Sequence, residues 1–258
     1  MDTPSHPLNP GAEHGMSLME MLVASLMTTV ILAALVALLV TTMNQETRIT
    51  DRIQADQLGR TAMTNIVEEL HSSCTGFGGT PIQAGSGRTN LWFINAYRHK
   101  SSTEPYPKSV TEHEIVWEKK GTSNTGEEFG TLTDYAYEST AGEPNKWTFS
   151  AHGTSTVLAN DVIPPRVSAK PTVFQYYDYS AAQLTELASG ELPLTTATAE
   201  DVAKVTITFS QASKPTKTAT ESEPVPDTRP GRTAVFSDSV VLRYTPTESA
   251  TEESKPCE

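Results

Sequence analysis

An α+β fold is predicted, with one long N-terminal helix packed against an antiparallel β-sheet head. Three features of the 258-residue chain predict it. The run from Met21 to Val40 carries no charge, proline and glycine are absent from Met16 to Leu58, and seven short stretches rich in β-branched and aromatic residues follow. Strand-type runs that come after a helix, instead of alternating with helices, argue for an antiparallel sheet.

The apolar run defines the first element. Twenty residues, interrupted only by Ser25, Thr28 and Thr29, span about 30 Å as a helix, the thickness of a bilayer's hydrocarbon core. A secretory signal peptide would begin with basic residues and carry a shorter apolar core of about 7–15 residues. The segment MDTPSHPLNPGAEHG has no lysine or arginine, and the apolar run is too long. A buried helix of a soluble protein would be amphipathic, whereas this one is apolar all round. A plain membrane anchor fits the length but leaves Glu20, at the head of the run, without a role. A carboxylate inside hydrocarbon is costly, and less so near the interface.

Residues 15–23, GMSLMEMLV, followed by the long aliphatic run, resemble the prepilin processing motif of type IV pilins and type II secretion pseudopilins. The resemblance implies that residues 1–15 are a leader, that a membrane peptidase cuts between Gly15 and Met16, and that Met16 is then N-methylated. It also implies that Glu20 directs assembly by neutralising the new α-amine of a neighbouring subunit. A paired arrangement costs less than burying either charge alone. The implied partners are prepilin peptidase, other pilin or pseudopilin subunits, an inner-membrane assembly platform and membrane lipid. The implied location is a single-pass membrane protein with an extracytoplasmic head, later in a pilus or pseudopilus. Several features depart from the family's habit. The leader lacks basic residues, Met16 stands where phenylalanine is commonest, and the apolar helix has no proline. Arg48 and Arg52 lie beyond the span, which read strictly would place the C-terminal part in the cytoplasm. Glu46 and Asp51 accompany them, and the processing motif is the sharper signal for topology.

Residues 16–43 form the membrane and assembly part of the helix and residues 44–73 an amphipathic continuation, with Ile49, Ile53, Ala62, Ile66 and Leu70 as its apolar stripe. Such a helix would be roughly 85 Å long. Gly59 weakens it by about 1 kcal/mol relative to alanine. The glycine-rich segment CTGFGGTPIQAGSGRTN stops it. Because these glycines follow a helix and do not open one after a strand, they are not read as a phosphate cradle.

The head is assigned to residues 74–245 and a tail to 246–258. Its strand-type runs are LWFINAY, EIVWEK, LTDYAYE, KWTFS, TVFQYYDY, VAKVTITFS and AVFSDSVVLRY. In the sixth, Val202, Val205, Ile207 and Phe209 alternate with Lys204, Thr206 and Thr208, one buried face against one wet face. A short polar or helical connection joins the fifth run to the sixth, and a Pro-rich loop joins the sixth to the seventh. This late order resembles the larger minor pilins and pseudopilins, the PilW-like and J-type groups.

Cys74 and Cys257 are the only cysteines, in neither a CxxC nor a metal-knuckle spacing. A disulfide between them suits an extracytoplasmic head and would contribute about 5 kcal/mol in the chain-entropy model; two unrelated thiols are the other reading. The formal charge of −12 and the lack of a Lys/Arg cluster argue against direct nucleic-acid binding. No HExxH, GxSxG or EF-hand loop occurs, so no catalytic residue, metal site or cofactor is assigned. The stretch TEHE, around His113, has metal-ligating residue types, but an exposed strand edge is the preferred reading. Tyr176, Tyr177 and Tyr179, on alternating faces, are read as a mixture of core and surface. The sequence thus predicts a structural minor subunit of a pilus or pseudopilus and not an enzyme. The alternative is a membrane-anchored binding or adhesion protein that does not assemble.

Overall fold

The structure is a computed structural model that describes residues 17–73, 80–95, 110–123, 125–141, 147–180, 183–188, 190–213 and 233–242. It combines a long N-terminal helix with a large antiparallel sheet, an α+β architecture. Two compact units divide it at Thr47 and Arg48.

Helix α1 runs Leu18–Ser72, ending just before the glycine-rich stop. In the second unit its buried residues are Ala55, Gly59, Ala62, Met63, Ile66 and Leu70, at the three-to-four-residue spacing of one helical face. Two members of the sequence-derived stripe are not on that face, since Ile49 and Ile53 are exposed. The buried face instead begins with the small residues Ala55 and Gly59, and Gly59 is there for contact. A Cβ added to it would lie 2.0 Å from the Phe236 ring.

Eleven strands follow among the described residues: β1 (Asn90–Asn95), β2 (Thr111–Thr122), β3 (Glu128–Ala141), β4 (Thr148–Phe149), β5 (Thr154–Ile163), β6 (Arg166–Val167), β7 (Lys170–Pro171), β8 (Phe174–Ser180), β9 (Gln183–Glu186), β10 (Val202–Ala212) and β11 (Thr233–Val241). Nine form one antiparallel sheet in the order β1-β2-β3-β5-β10-β8-β9, with β11 added to β10 and β4 to β3; β6 and β7 make a separate hairpin. Strand β10 is the hub. Its first half pairs with β8, its Ser210 and Gln211 pair with β5, and β11 runs along its other edge.

The alternation in β10 holds, with Val202, Val205, Ile207 and Phe209 all buried. The three-residue step from Val202 to Val205 arises because the β8 register shifts between Val202 and Lys204. Strand β5 has the corresponding irregularity against β3. Gly130 pairs with Val162 and Leu132 with Ala159, so two steps on β3 match three on β5. Asp161, at φ 58°, absorbs the extra residue in a left-handed conformation that aspartate tolerates better than most side chains.

The buried residues of α1 from Ala62 onward belong to one apolar cluster with Leu91, Phe93, Ile115, Trp117, Leu132, Phe174, Tyr176, Ile207 and Phe209 of the sheet. Polar atoms in this core are mostly satisfied. The Trp117 indole N–H donates to the Val162 carbonyl at 3.0 Å, and the buried Tyr176 hydroxyl lies 3.0 Å from the carbonyls of Gly87 and Asn90. Burial pushes the Tyr176 phenol well above its ordinary range, so it stays a donor. Helix α2 (Thr196–Glu200) is a single capped turn ahead of β10, with Thr195 and Thr198 forming the reciprocal capping bonds.

Candidate functional site

Residues 17–50 are exposed without exception, including the whole apolar run. This part of α1 is long and apolar enough to cross a membrane, by length and composition. A helix in hydrocarbon must satisfy its polar groups internally. The hydroxyls of this segment do so, each donating to a carbonyl one turn back: Ser25 to Leu22 at 2.9 Å, Thr28 to Ala24 and Thr29 to Ser25 at 2.7 Å. Thr41 and Thr42 do the same with Ala37 and Leu38, both at 2.9 Å. The mild polar interruptions of the run therefore leave no hydroxyl unpaired.

Glu20 lies in the first turn of α1. The Ser17 carbonyl accepts the first helical bonds, from the Glu20 N–H at 2.9 Å and the Met21 N–H at 3.1 Å. Ser17 and Glu20 thus have the spacing of a capping box, a helix-start signal legible in the local sequence. The box itself does not close, for the Glu20 carboxylate makes no hydrogen bond or ion pair with the described residues. The helix dipole favours a negative charge at this end, and the carboxylate remains available to an outside cation. Gly15 and Met16, the cleavage and methylation positions, lie outside the described residues, as do Cys74 and Cys257.

In the head, His113 is not on an exposed edge. It is buried on β2, its ring stacked on Phe93 at 5.1 Å and its Nδ1 3.1 Å from both carboxylate oxygens of Asp134. Strand alternation sends its neighbours Glu112 and Glu114 to the opposite face, so the TEHE stretch cannot gather three ligands. Among the described residues no group of three or more His, Cys, Asp or Glu side chains could hold a metal ion. The tyrosine trio divides as alternation requires, with Tyr176 buried and Tyr179 exposed. Tyr177 lies under Lys204, whose Nζ is 4.7 Å from the ring centroid.

One grouping was not legible in the sequence, because it depends on register. On the face of β2 opposite His113, Glu114 stands between Trp92 of β1 and Tyr135 of β3, while Glu112 stands between Ile94 and Tyr137. The Trp92 and Tyr137 rings meet over β2, with centroids 5.8 Å apart and planes within 17°. The Tyr137 hydroxyl donates a long bond, 3.4 Å, to Glu114 Oε2. Burial and then the charge of Glu114 hold the Glu112 carboxyl above its ordinary range. Burial likewise raises Glu114, with Glu118 adding repulsion and the Tyr137 bond working the other way.

Compared with known proteins, the chain matches no family model, no curated protein and no solved structure.

Proposed function

We propose that the chain is a structural minor subunit of a type IV pilus or type II secretion pseudopilus, processed between Gly15 and Met16 and assembled through α1. The observation that carries this reading is the first half of α1. It is an exposed apolar helix with internally satisfied hydroxyls, headed by a carboxylate that has no partner among the described residues. A tether needs only the apolar length. A subunit needs, in addition, a charge that meets the amino end of its neighbour, and Glu20 supplies it. The head then lies outside the cytoplasm, its partners are other subunits and the assembly platform, and its size suits a minor position at the tip or in priming.

The test is fractionation in the native host. Surface filaments are sheared, pelleted and probed for this protein beside the major subunit. A small filament-associated amount that disappears when prepilin peptidase is inactivated is the expected result. A protein confined to the membrane fraction, with or without the peptidase, would make it a tether. Stoichiometric presence along the filament would contradict a minor position.

A further inference from the structure

The aromatic and acidic face of β1–β3 has no part in the assembly reading. Its two carboxylates are two residues apart on one strand, roughly 7 Å along it, and point the same way. Both are half-buried, in part beneath the ring pair that leans over β2. Among the described residues no lysine or arginine pairs with either. His113 and Asp134 are on the far side of the strand, and among the described residues the titratable groups facing Glu112 and Glu114 are Tyr135, Tyr137 and Glu118, none of them a cation. Half-desolvated carboxylates whose charged company among the described residues is only acidic lack the compensation that buried charge ordinarily has.

We propose that this face is a docking surface for a basic protein segment, one arginine or lysine side chain lying over the Trp92 and Tyr137 rings with its charge between Glu112 and Glu114. Charge complementarity selects the occupant. Aromatic faces attract organic cations, most strongly at tryptophan, and the flanking carboxylates accept the N–H donors. A hard metal ion fits poorly, because calcium takes about six to eight oxygen ligands and among the described residues no group of three or more His, Cys, Asp or Glu side chains gathers here. A neutral sugar could stack on the rings, but it would leave the carboxylate repulsion in place.

The surface makes a pH-dependent contribution as well. A carboxyl whose folded-state value lies above its unfolded one destabilises the head once pH exceeds the folded value, and the penalty vanishes below the unfolded one. Binding of a cation follows the opposite course and weakens as pH falls through the raised range of Glu112 and Glu114.

Full-length protein in detergent micelles is titrated with an acetylated tetra-arginine amide and followed by calorimetry and tryptophan fluorescence. The expected result is one saturable site whose affinity falls at least tenfold in the Glu112→Gln/Glu114→Gln variant. That variant should melt no lower than the native chain, because it removes the repulsion. Trp92→Phe, which keeps a ring in place, provides a second reading and should weaken binding severalfold. Glu186→Gln/Glu191→Gln removes the same net charge elsewhere and should leave affinity unchanged. Three results would overturn the proposal: no saturable binding, equal losses in the Glu186/Glu191 control, or preferential binding of the neutral sugar cellotetraose that the Glu112/Glu114 variant loses.

Discussion

Replacing Glu20 with alanine is expected to lower the protein's entry into filaments at least tenfold while leaving its membrane level unchanged. The physical reason is asymmetry. Breaking a buried ion pair by removing one partner leaves the other charge uncompensated, at a cost of roughly 3–5 kcal/mol, far more than the intact pair contributes. In the proposed assembly the survivor would be the α-amine of a neighbouring Met16, enclosed among apolar helices. Glu20→Gln should be nearly as defective, since an amide accepts a hydrogen bond but does not balance the charge. The measurement is the ratio of filament-associated to membrane-associated protein. Among the described residues the Glu20 side chain closes no capping bond, so the loss to the helix itself is confined to its interaction with the helix dipole, about 0.3–1 kcal/mol.

The second large effect falls on stability and runs against helix propensity. In an isolated helix Gly59→Ala would gain about 1 kcal/mol. Here the new methyl would overlap Phe236, with ring atoms 2.0, 2.5 and 2.6 Å from the Cβ position. Phe236 is itself held against Phe209, centroids 5.6 Å apart, and Phe209 is fully buried. Displacing the ring costs more than the propensity returns, and overpacking of this kind typically costs about 1–3 kcal/mol. Thermal unfolding in detergent should show a melting temperature about 2–12 °C lower, given ~2–4 °C per kcal/mol for a unit of this size. A variant that melts higher than the native chain would mean that Phe236 does not pack at Gly59. Phe236→Ala in the Gly59→Ala background should recover part of the loss if the two sites are coupled.

Gly59 also marks where sequence reasoning stops. Its position in the helix was legible, but its partner is on β11, some 180 residues away, and nothing local announces a close approach. The strands follow the same logic. Runs dense in β-branched and aromatic residues, such as those of β1, β2, β8 and β10, were legible because both composition and alternation marked them. Strand β5, TSTVLANDVI, is not among the strand-type runs of the sequence, and its polar start and Asn-Asp pair carry a weak strand signal. The same pair turns out to be a bulge inside the strand, with Asp161 at positive φ. The connection before β10 contains β9 as well as α2, and the four exposed residues of β9 carry no core signal.

The candidate sites divide along the same line. The apolar run and Glu20 are local features and could be read directly. His113 is expected at an exposed strand edge, yet alternation puts its acidic neighbours on one face and the buried imidazole on the other. The pairing of Trp92 with Tyr137 exists only in register, across a strand that neither residue belongs to. No motif search along the chain could bring them together.

Intact-mass analysis of the membrane-extracted protein tests the central claim most directly. A species beginning at Met16 and carrying one additional methyl group is the expected result. A mass that still includes residues 1–15 would contradict it and leave α1 as a membrane tether whose Glu20 serves no assembly.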